Sequence, residues 1–179
     1  MLTALAAGGA FAQEFATEKS YVSAGCGLMF GLNMITGSDG GSIGRIGAFG
    51  FFDVTYAEMN AAFFYYDITG DDVAGIGVSY ALFGKWPFKL GIMQISPLAG
   101  VRLIIPITHK TYSGFNYADW SNIGLQLGAN LDYPLKGSWY LRTSTLFSIC
   151  FKPSDSYFDD FHTVYTFGQT FKISIGYKL

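Results

Sequence analysis

Apolar and polar residues alternate along most of the chain with a period of two. From Tyr21 to Met34 the even-numbered residues are all apolar, whereas the odd-numbered residues are mostly small or polar. Successive side chains of a β-strand point to opposite faces, so this period is typical of strands. The same split recurs from Asn122 to Tyr133 and, interrupted only by Gln169, from Tyr165 to Leu179. These segments predict three long strands, each with one continuous apolar face.

Five further segments alternate less completely, and no segment shows a convincing helical period. In Asn60–Tyr66 the residues of both parities are apolar, so the pattern does not show which side chains face inward. Strands that cross a bilayer need about 9–11 residues, whereas globular strands centre on about 5–6, and most of these segments match the longer class. The pattern therefore predicts an all-β chain of eight strands, the five further ones being Arg45–Tyr56, Asn60–Tyr66, Val73–Trp86, Ile95–Ile107 and Tyr140–Phe151.

The connections between these strands tend to alternate between longer and shorter. Short turns at one end and longer loops at the other are typical of a transmembrane antiparallel up-and-down β-barrel with both termini in the periplasm. Glycine, serine and aspartate supply turn chemistry in several of them. In chain order the predicted connections are Thr36–Ile43, Ala57–Met59, Asp67–Asp72, Pro87–Ile92, Thr108–Ser121, Pro134–Ser138 and Lys152–Thr163.

Charged and amide side chains within the strands share the face that holds the small residues. A water-soluble barrel would carry its charges on the outside and an apolar interior. Unpaired ions in a dry core would cost several kcal/mol each, whereas the polar lumen of a membrane barrel lets them pair. The pattern therefore predicts lipid on the apolar face and a polar network in the lumen, formed by Arg45, Asp53, Arg102, Gln126, Asp132, Arg142 and Lys172.

Two other architectures compete with this interpretation. Ser20–Ser38 is free of charge over nineteen residues, the length of a membrane-spanning helix. Its glycines and strict period of two argue against a helix, and charged residues interrupt the other apolar stretches too often for spans of about 20 residues. A soluble β-sandwich or barrel would carry its charged side chains on the outer face and apolar side chains inside, the opposite of the arrangement that the pattern favours.

Composition narrows the class of protein further. Only 13% of the 179 residues are charged and 18% are aromatic, which excludes a disordered chain. The net charge of −2 argues against nucleic acid as a partner. The first residues, 1–12, form an apolar run ending in Ala-Phe-Ala, which predicts the remnant of a cleaved signal peptide. Residues 13–179 would then form a single barrel domain.

The C-terminal strand carries a resemblance to a known family. Its apolar and aromatic residues alternate up to the last position, at Phe171, Ile173, Ile175, Tyr177 and Leu179. This ending resembles the C-terminal assembly signal of bacterial outer-membrane β-barrel proteins, although leucine stands where that family usually has phenylalanine. In size and pattern the chain is similar to the small eight-stranded barrels of the OmpA, OmpX and OmpW type. The resemblance implies a bacterial outer-membrane location and recognition of these residues by the outer-membrane insertion machinery.

The sequence contains no metal-binding or cofactor-binding motif. His109 and His162 lack a partner at metal-ligand spacing, and Cys26 and Cys150 lie outside any CxxC context. We therefore predict no catalytic residue, metal or cofactor. Some barrels of this size are lipid-modifying enzymes that use a histidine with a serine or an aspartate. The candidates for such chemistry would be His162 with Ser154, Ser156, Asp159 or Asp160.

Two predicted loops are rich in aromatic residues. These residues fit an aromatic girdle at the headgroup level, or a surface that binds an extracellular ligand or protein, since tyrosine and tryptophan provide contact area at low entropic cost. The candidates are Tyr112, Phe115, Tyr117, Trp120, Tyr157, Phe158 and Phe161.

Three function hypotheses follow from the sequence. The first is a non-enzymatic outer-membrane barrel with a structural or surface-interaction role, because an eight-stranded interior is just filled by side chains. The second, implied by the OmpW-type resemblance, is a narrow channel for small or hydrophobic solutes. The third is a lipid-modifying enzyme.

Overall fold

The fold consists of eight long β-strands and one short one in the part of the chain described by the structure, a computed structural model. That part comprises residues 21–35, 42–69, 73–110, 122–151 and 165–179. The strands are β1 (Val22–Ile35), β2 (Ser42–Val54), β3 (Ala57–Thr69), β4 (Val73–Lys85), β5 (Phe88–Leu90), β6 (Met93–Lys110), β7 (Asn122–Pro134), β8 (Trp139–Phe151) and β9 (Tyr165–Lys178).

The eight long strands close into an antiparallel barrel. Each pairs with its neighbour in sequence, β4 pairing directly with β6, and the short β5 pairs only with the first residues of β6. The seam between β1 and β9 runs from the pair Ser23 and Lys178 to the pair Ile35 and Thr166. Within the described ranges each of the eight long strands is therefore paired on both sides, as a strand-built protein in lipid requires. The predicted eight-stranded up-and-down barrel is confirmed.

The long strands have 13 to 18 residues each, more than the roughly 9–11 that cross a bilayer. The described residues include no helix long and apolar enough to cross a membrane. We call the end that holds Tyr21, Leu179 and the short β2–β3 and β7–β8 turns the turn end. The connections of residues 36–41, 70–72, 111–121 and 152–164 join strands at the opposite end, which we call the loop end.

Exposure alternates along the strands as the sequence pattern predicts. Leu125 is 54% exposed, while the next residue, Gln126, is 2% exposed and faces the lumen. The outward face is apolar over most of its area. The structure also resolves the faces of the segment that the pattern left open: Phe63 and Tyr65 point outward, whereas Asn60 and Phe64 point inward.

Several predicted connections are placed differently by the structure. The tight turn predicted at Ala57–Met59 is wrong, since these residues open β3 and the turn is at Thr55 and Tyr56. β3 continues through Asp67, and β6 continues through Lys110. The backbone hydrogen bonds of a strand can continue past the membrane surface into polar residues. A change from apolar to polar residues therefore marks the membrane surface, and the strand itself ends later.

A ring of exposed aromatic residues surrounds the turn end. Trp139 and Tyr177 meet edge to face there, with ring centroids 5.0 Å apart. Aromatic residues at this level are typical of the membrane–water interface. They fix the turn-end boundary of the apolar band, and the ring comprises Tyr56, Trp86, Tyr133, Trp139 and Tyr177.

Charge on the outward face should be costly only within the apolar band. We expect Leu125→Arg to lower the free energy of unfolding of the refolded barrel by about 2–4 kcal/mol. Leu135→Arg is the matched control, because Leu135 is also exposed but lies in the turn after β7. Its cost should be about 0–1 kcal/mol. Denaturant titration in lipid vesicles measures both, and equal costs would contradict the lipid-facing assignment.

Candidate functional site

The polar lumen is the candidate site, because inward side chains from every long strand converge there. Six of the seven residues predicted for the lumen network are buried, and the seventh, Lys172, is half-buried on the same inward parity. The structure brings only some of them into contact. Asp53, Asp132 and Arg142 meet at the turn end, whereas Arg45 and Arg102 lie apart from these carboxylates.

Arg142 occupies the centre of an ion-pair cluster. It faces Asp132 across the β7–β8 ladder, and two of its guanidinium nitrogens donate to the Asp132 carboxylate at 2.6 and 2.7 Å. It also donates to Asp53 at 2.7 Å and to Glu58 at 2.8 Å. All four side chains are almost fully buried. Bidentate, charge-assisted bonds of this kind are among the strongest polar contacts in proteins.

A lysine and several neutral groups complete this cluster, which we call the Arg142 cluster. Lys85 donates to Asp53 at 2.5 Å and to the Tyr21 hydroxyl at 2.8 Å. Tyr21 precedes β1, and burial raises the pKa of its hydroxyl. Asn60 and Asn130 donate to the two oxygens of Glu58 at 2.9 and 2.6 Å. The carboxylate oxygens are thus satisfied by direct contacts.

Aromatic rings fill the space around the Arg142 cluster. The Arg142 guanidinium lies 4.6 Å from the Phe51 ring centroid and 5.2 Å from that of Tyr140. The Tyr140 hydroxyl is hydrogen-bonded to Ser23 at 2.8 Å. Cation–π contacts hold a guanidinium in place when it is shielded from water. The turn-end half of the lumen is therefore packed with mutually bonded side chains.

The loop-end half of the lumen has a different electrostatic character. Arg45 donates to Asn33, and Arg102 contacts Ser148 and Cys150. The Lys172 ammonium lies 4.7 Å from the Phe49 ring centroid. Within the described ranges no carboxylate lies within 4.0 Å of the charged nitrogens of these three cations. Positive charge is thus concentrated in this half.

Sequence reasoning missed two charged members of the Arg142 cluster, Glu58 and Lys85. Glu58 lies in the segment wrongly predicted as a turn, so the pattern assigned it neither an inward nor an outward orientation. Lys85 lies on the inward parity of β4, opposite Tyr80 and Leu82 on the outward parity, and that signal was available from the pattern.

Other predicted residues lie on the outer surface or outside the described residues. The five residues of the C-terminal pattern all point outward on β9 and at the chain end. Cys26 is exposed on the outer face, and Cys150 is buried in the lumen. The described ranges contain no group of three or more His, Cys, Asp or Glu side chains placed to hold a metal ion. Outside the described residues lie the seven loop aromatics, the candidate residues around His162 and the proposed signal segment 1–12.

Comparisons with known proteins place the fold. No family profile and no curated protein sequence matches the chain. Neisserial surface protein A is similar in structure, with a TM-score of 0.53, 11% sequence identity, and coverage of 90% of this chain and 100% of that chain. The outer membrane protein OprG from Pseudomonas aeruginosa gives a TM-score of 0.51 at 12% identity, with coverage of 89% and 95%. The chain has the fold of the small eight-stranded outer-membrane β-barrels. At these identities the likeness extends to the fold and not to a specific role.

Proposed function

We propose that this protein is an integral outer-membrane β-barrel without enzymatic activity, with a structural or surface-interaction role. The outward apolar face, the aromatic ring at the turn end and the likeness to two outer-membrane barrels support the location. The loops at the loop end would provide the surface for an extracellular ligand or protein. The lumen would act as a packed support for those loops.

The observation that carries this proposal is the packing of the Arg142 cluster. One arginine, one lysine and three carboxylates bond to each other across the lumen, and Phe51 and Tyr140 pack against the arginine. Passage of a solute would require several of these charge-assisted bonds to break together. Such packing favours a barrel whose lumen is blocked over an open diffusion pore.

Single-channel recording tests whether the packed lumen blocks the passage of ions. The refolded protein in a planar bilayer should show no conductance steps, while a large porin added to the same bilayer should show them. Reproducible steps would contradict the blocked lumen and favour the second hypothesis, a narrow channel for small solutes. Mass spectrometry of lipid A after expression tests the enzyme hypothesis in parallel, and we expect the lipid to be unmodified.

The proposed topology places the turn end in the periplasm and the loops outside the cell. The support is the length of two loop-end connections, residues 111–121 and 152–164, each of which is longer than any connection at the turn end. Long loops on the extracellular side are typical of these barrels. Ser138 lies exposed in the β7–β8 turn. A membrane-impermeant maleimide should label Ser138→Cys only after the outer membrane is permeabilised, in a chain whose Cys26 and Cys150 are replaced by serine. Labelling in intact cells would reverse the topology.

A further inference from the structure

Several buried polar groups in the loop-end half of the lumen have no hydrogen-bond partner in the part of the chain that the structure describes. Buried polar atoms in proteins are nearly always paired, and each exception calls for an explanation such as a bound ion. Both arginines of this half, each more than nine-tenths buried, have an unpaired Nε atom. In this half the unpaired atoms are Arg45 Nε, Arg102 Nε, Gln126 Nε2 and Thr170 Oγ1. Three others, Asn60 Oδ1, Asn130 Oδ1 and Ser174 Oγ, lie at the level of the Arg142 cluster.

Two of these groups converge on one point of the barrel wall. Gly31 of β1 pairs with Arg45 of β2 on one side and with Thr170 of β9 on the other. A Cβ atom built on Gly31 would lie 3.3 Å from Thr170 Oγ1, 3.4 Å from Arg45 Nε and 3.6 Å from Arg45 Nη2. A guanidinium edge and a hydroxyl therefore both border the space in front of the Gly31 Cα atom. We call this space the Gly31 cradle.

Positive charge is gathered around the Gly31 cradle. Arg45 lies within electrostatic reach of Arg102. Lys172 lies within reach of the Glu58 carboxylate first and then of Arg102, so Arg45 and Arg102 are the cations without a carboxylate counter-charge. The described residues place no carboxylate within 4.0 Å of the charged nitrogens of these three cations. Like charges that are buried together repel strongly, and an anion between them would replace repulsion by attraction. A planar guanidinium fork matches the oxygen atoms of phosphate-class anions.

We propose that the Gly31 cradle binds a tetrahedral oxyanion of the phosphate class, taken from the solution that enters the lumen. Arg45 and Thr170 would hold the anion directly, and Arg102 would add to the field that attracts it. All three side chains have the inward parity, whereas lipid meets the opposite face of each strand. The source is therefore a dissolved anion and not a lipid headgroup. This inference is independent of the proposed surface role.

Inorganic phosphate titrated against the refolded protein tests the site. The protein is held in a non-ionic detergent without phosphate groups, and its thermal unfolding is followed at constant ionic strength maintained with chloride. We expect a saturable rise in Tm with phosphate, absent when chloride replaces it. Loss of one charge-assisted contact weakens binding by about tenfold or more, so Arg45→Gln should raise the apparent Kd by at least that factor.

Two glycine substitutions separate the cradle from general effects on folding. Gly31→Ala places a methyl group against Thr170 and Arg45 and should abolish the phosphate effect. Gly44→Ala is the matched control, because its Cβ would come no closer than 4.0 Å to the nearest neighbouring atom, the Asp67 carbonyl oxygen. It should keep the wild-type response. If Arg45→Gln does not refold, the alanine pair decides alone.

Three results would overturn the proposal. The first is a phosphate response that is absent from the wild-type protein, or that Gly31→Ala leaves unchanged. The second is an equal response to chloride, which would indicate simple screening of the arginines. The third is a response to phosphatidic acid in the micelles without a response to inorganic phosphate, which would assign the effect to a lipid headgroup.

Discussion

Replacing Arg142 with methionine should lower the free energy of unfolding of the refolded barrel by about 3–5 kcal/mol. The substitution keeps much of the side-chain volume but leaves Asp53, Glu58 and Asp132 facing each other without their shared guanidinium. Asp53 keeps its ion pair with Lys85, but Glu58 and Asp132 lose the cation that contacts them, and a buried carboxylate without a cation carries a large desolvation cost. Urea titration in lipid vesicles measures the loss. Lys136→Met, in the exposed β7–β8 turn, is the control and should change stability by less than about 0.5 kcal/mol.

A double-mutant cycle separates this ion-pair effect from lost packing. Asp132→Asn alone removes one bidentate partner while Arg142 keeps Asp53 and Glu58. The double variant Arg142→Met with Asp132→Asn should lose less stability than the sum of the two single variants, with a coupling energy above about 1 kcal/mol. Additive losses would mean that water solvates each charge separately and that the Arg142 cluster does not act as a unit.

Deleting Ile175–Leu179 should abolish assembly of the barrel in cells. These residues pair with Ser23–Cys26 of β1 on one side and with Trp139–Leu141 of β8 on the other. Their loss leaves both ladders unpaired at the turn end, and each unpaired backbone group in lipid costs several kcal/mol. We expect the truncated chain to accumulate in the periplasm or to be degraded. Outer-membrane fractionation and electrophoresis without heating would then show no heat-modifiable band.

Two further variants distinguish backbone closure from recognition of the C-terminal pattern by the insertion machinery. Replacing Ile175 and Tyr177 with alanine keeps every backbone pair of the seam and removes two outward side chains of the proposed signal. Failure of this variant to insert would support recognition of the side chains, and normal insertion would assign the defect of the deletion to closure. Leu179→Phe should leave assembly intact or improve it. A truncated chain that still inserts and resists protease would contradict the closed seam.

Much of the fold could be predicted because a closed membrane barrel couples sequence parity directly to environment. Leu125 and Gln126 are neighbours of opposite parity, and the apolar one faces outward while the polar one faces the lumen. That rule predicted the strands and the inward orientation of Arg142 and Asp132. It failed at β3, where apolar residues such as Phe64 face the lumen as well, so both parities carry apolar side chains and the faces cannot be separated.

The pairings within the lumen could not be predicted from the sequence. Arg142 reaches Asp53 and Glu58 from strands that lie far apart in sequence, across the barrel interior. Parity assigns a side chain to the lumen, but the stagger between strands decides the height at which it lies, and alternation carries no information on stagger. For the same reason the separation of Arg45 and Arg102 from the carboxylates became visible only in the structure.

Closure of the barrel through the β1–β9 seam is the central claim, and one cross-link tests it most directly. The native Cys26 pairs with Ile175 across this seam, and both side chains are exposed on the outer face. Directly opposed residues have Cβ atoms about 4.5–5.5 Å apart, whereas diagonal neighbours are about 7–8 Å apart. Ile175→Cys, in a chain with Cys150→Ser, should therefore form a disulfide with Cys26 under mild oxidation of membranes.

Ile173→Cys is the matched control, because Ile173 pairs with Leu28 and lies diagonal to Cys26. Electrophoresis under non-reducing conditions should show a cross-linked band that migrates faster for Ile175→Cys and little or none for Ile173→Cys. Equal cross-linking of the two variants would contradict the register of the seam. No cross-link in either variant, in protein that is folded by its heat-modifiable mobility, would contradict the closed barrel.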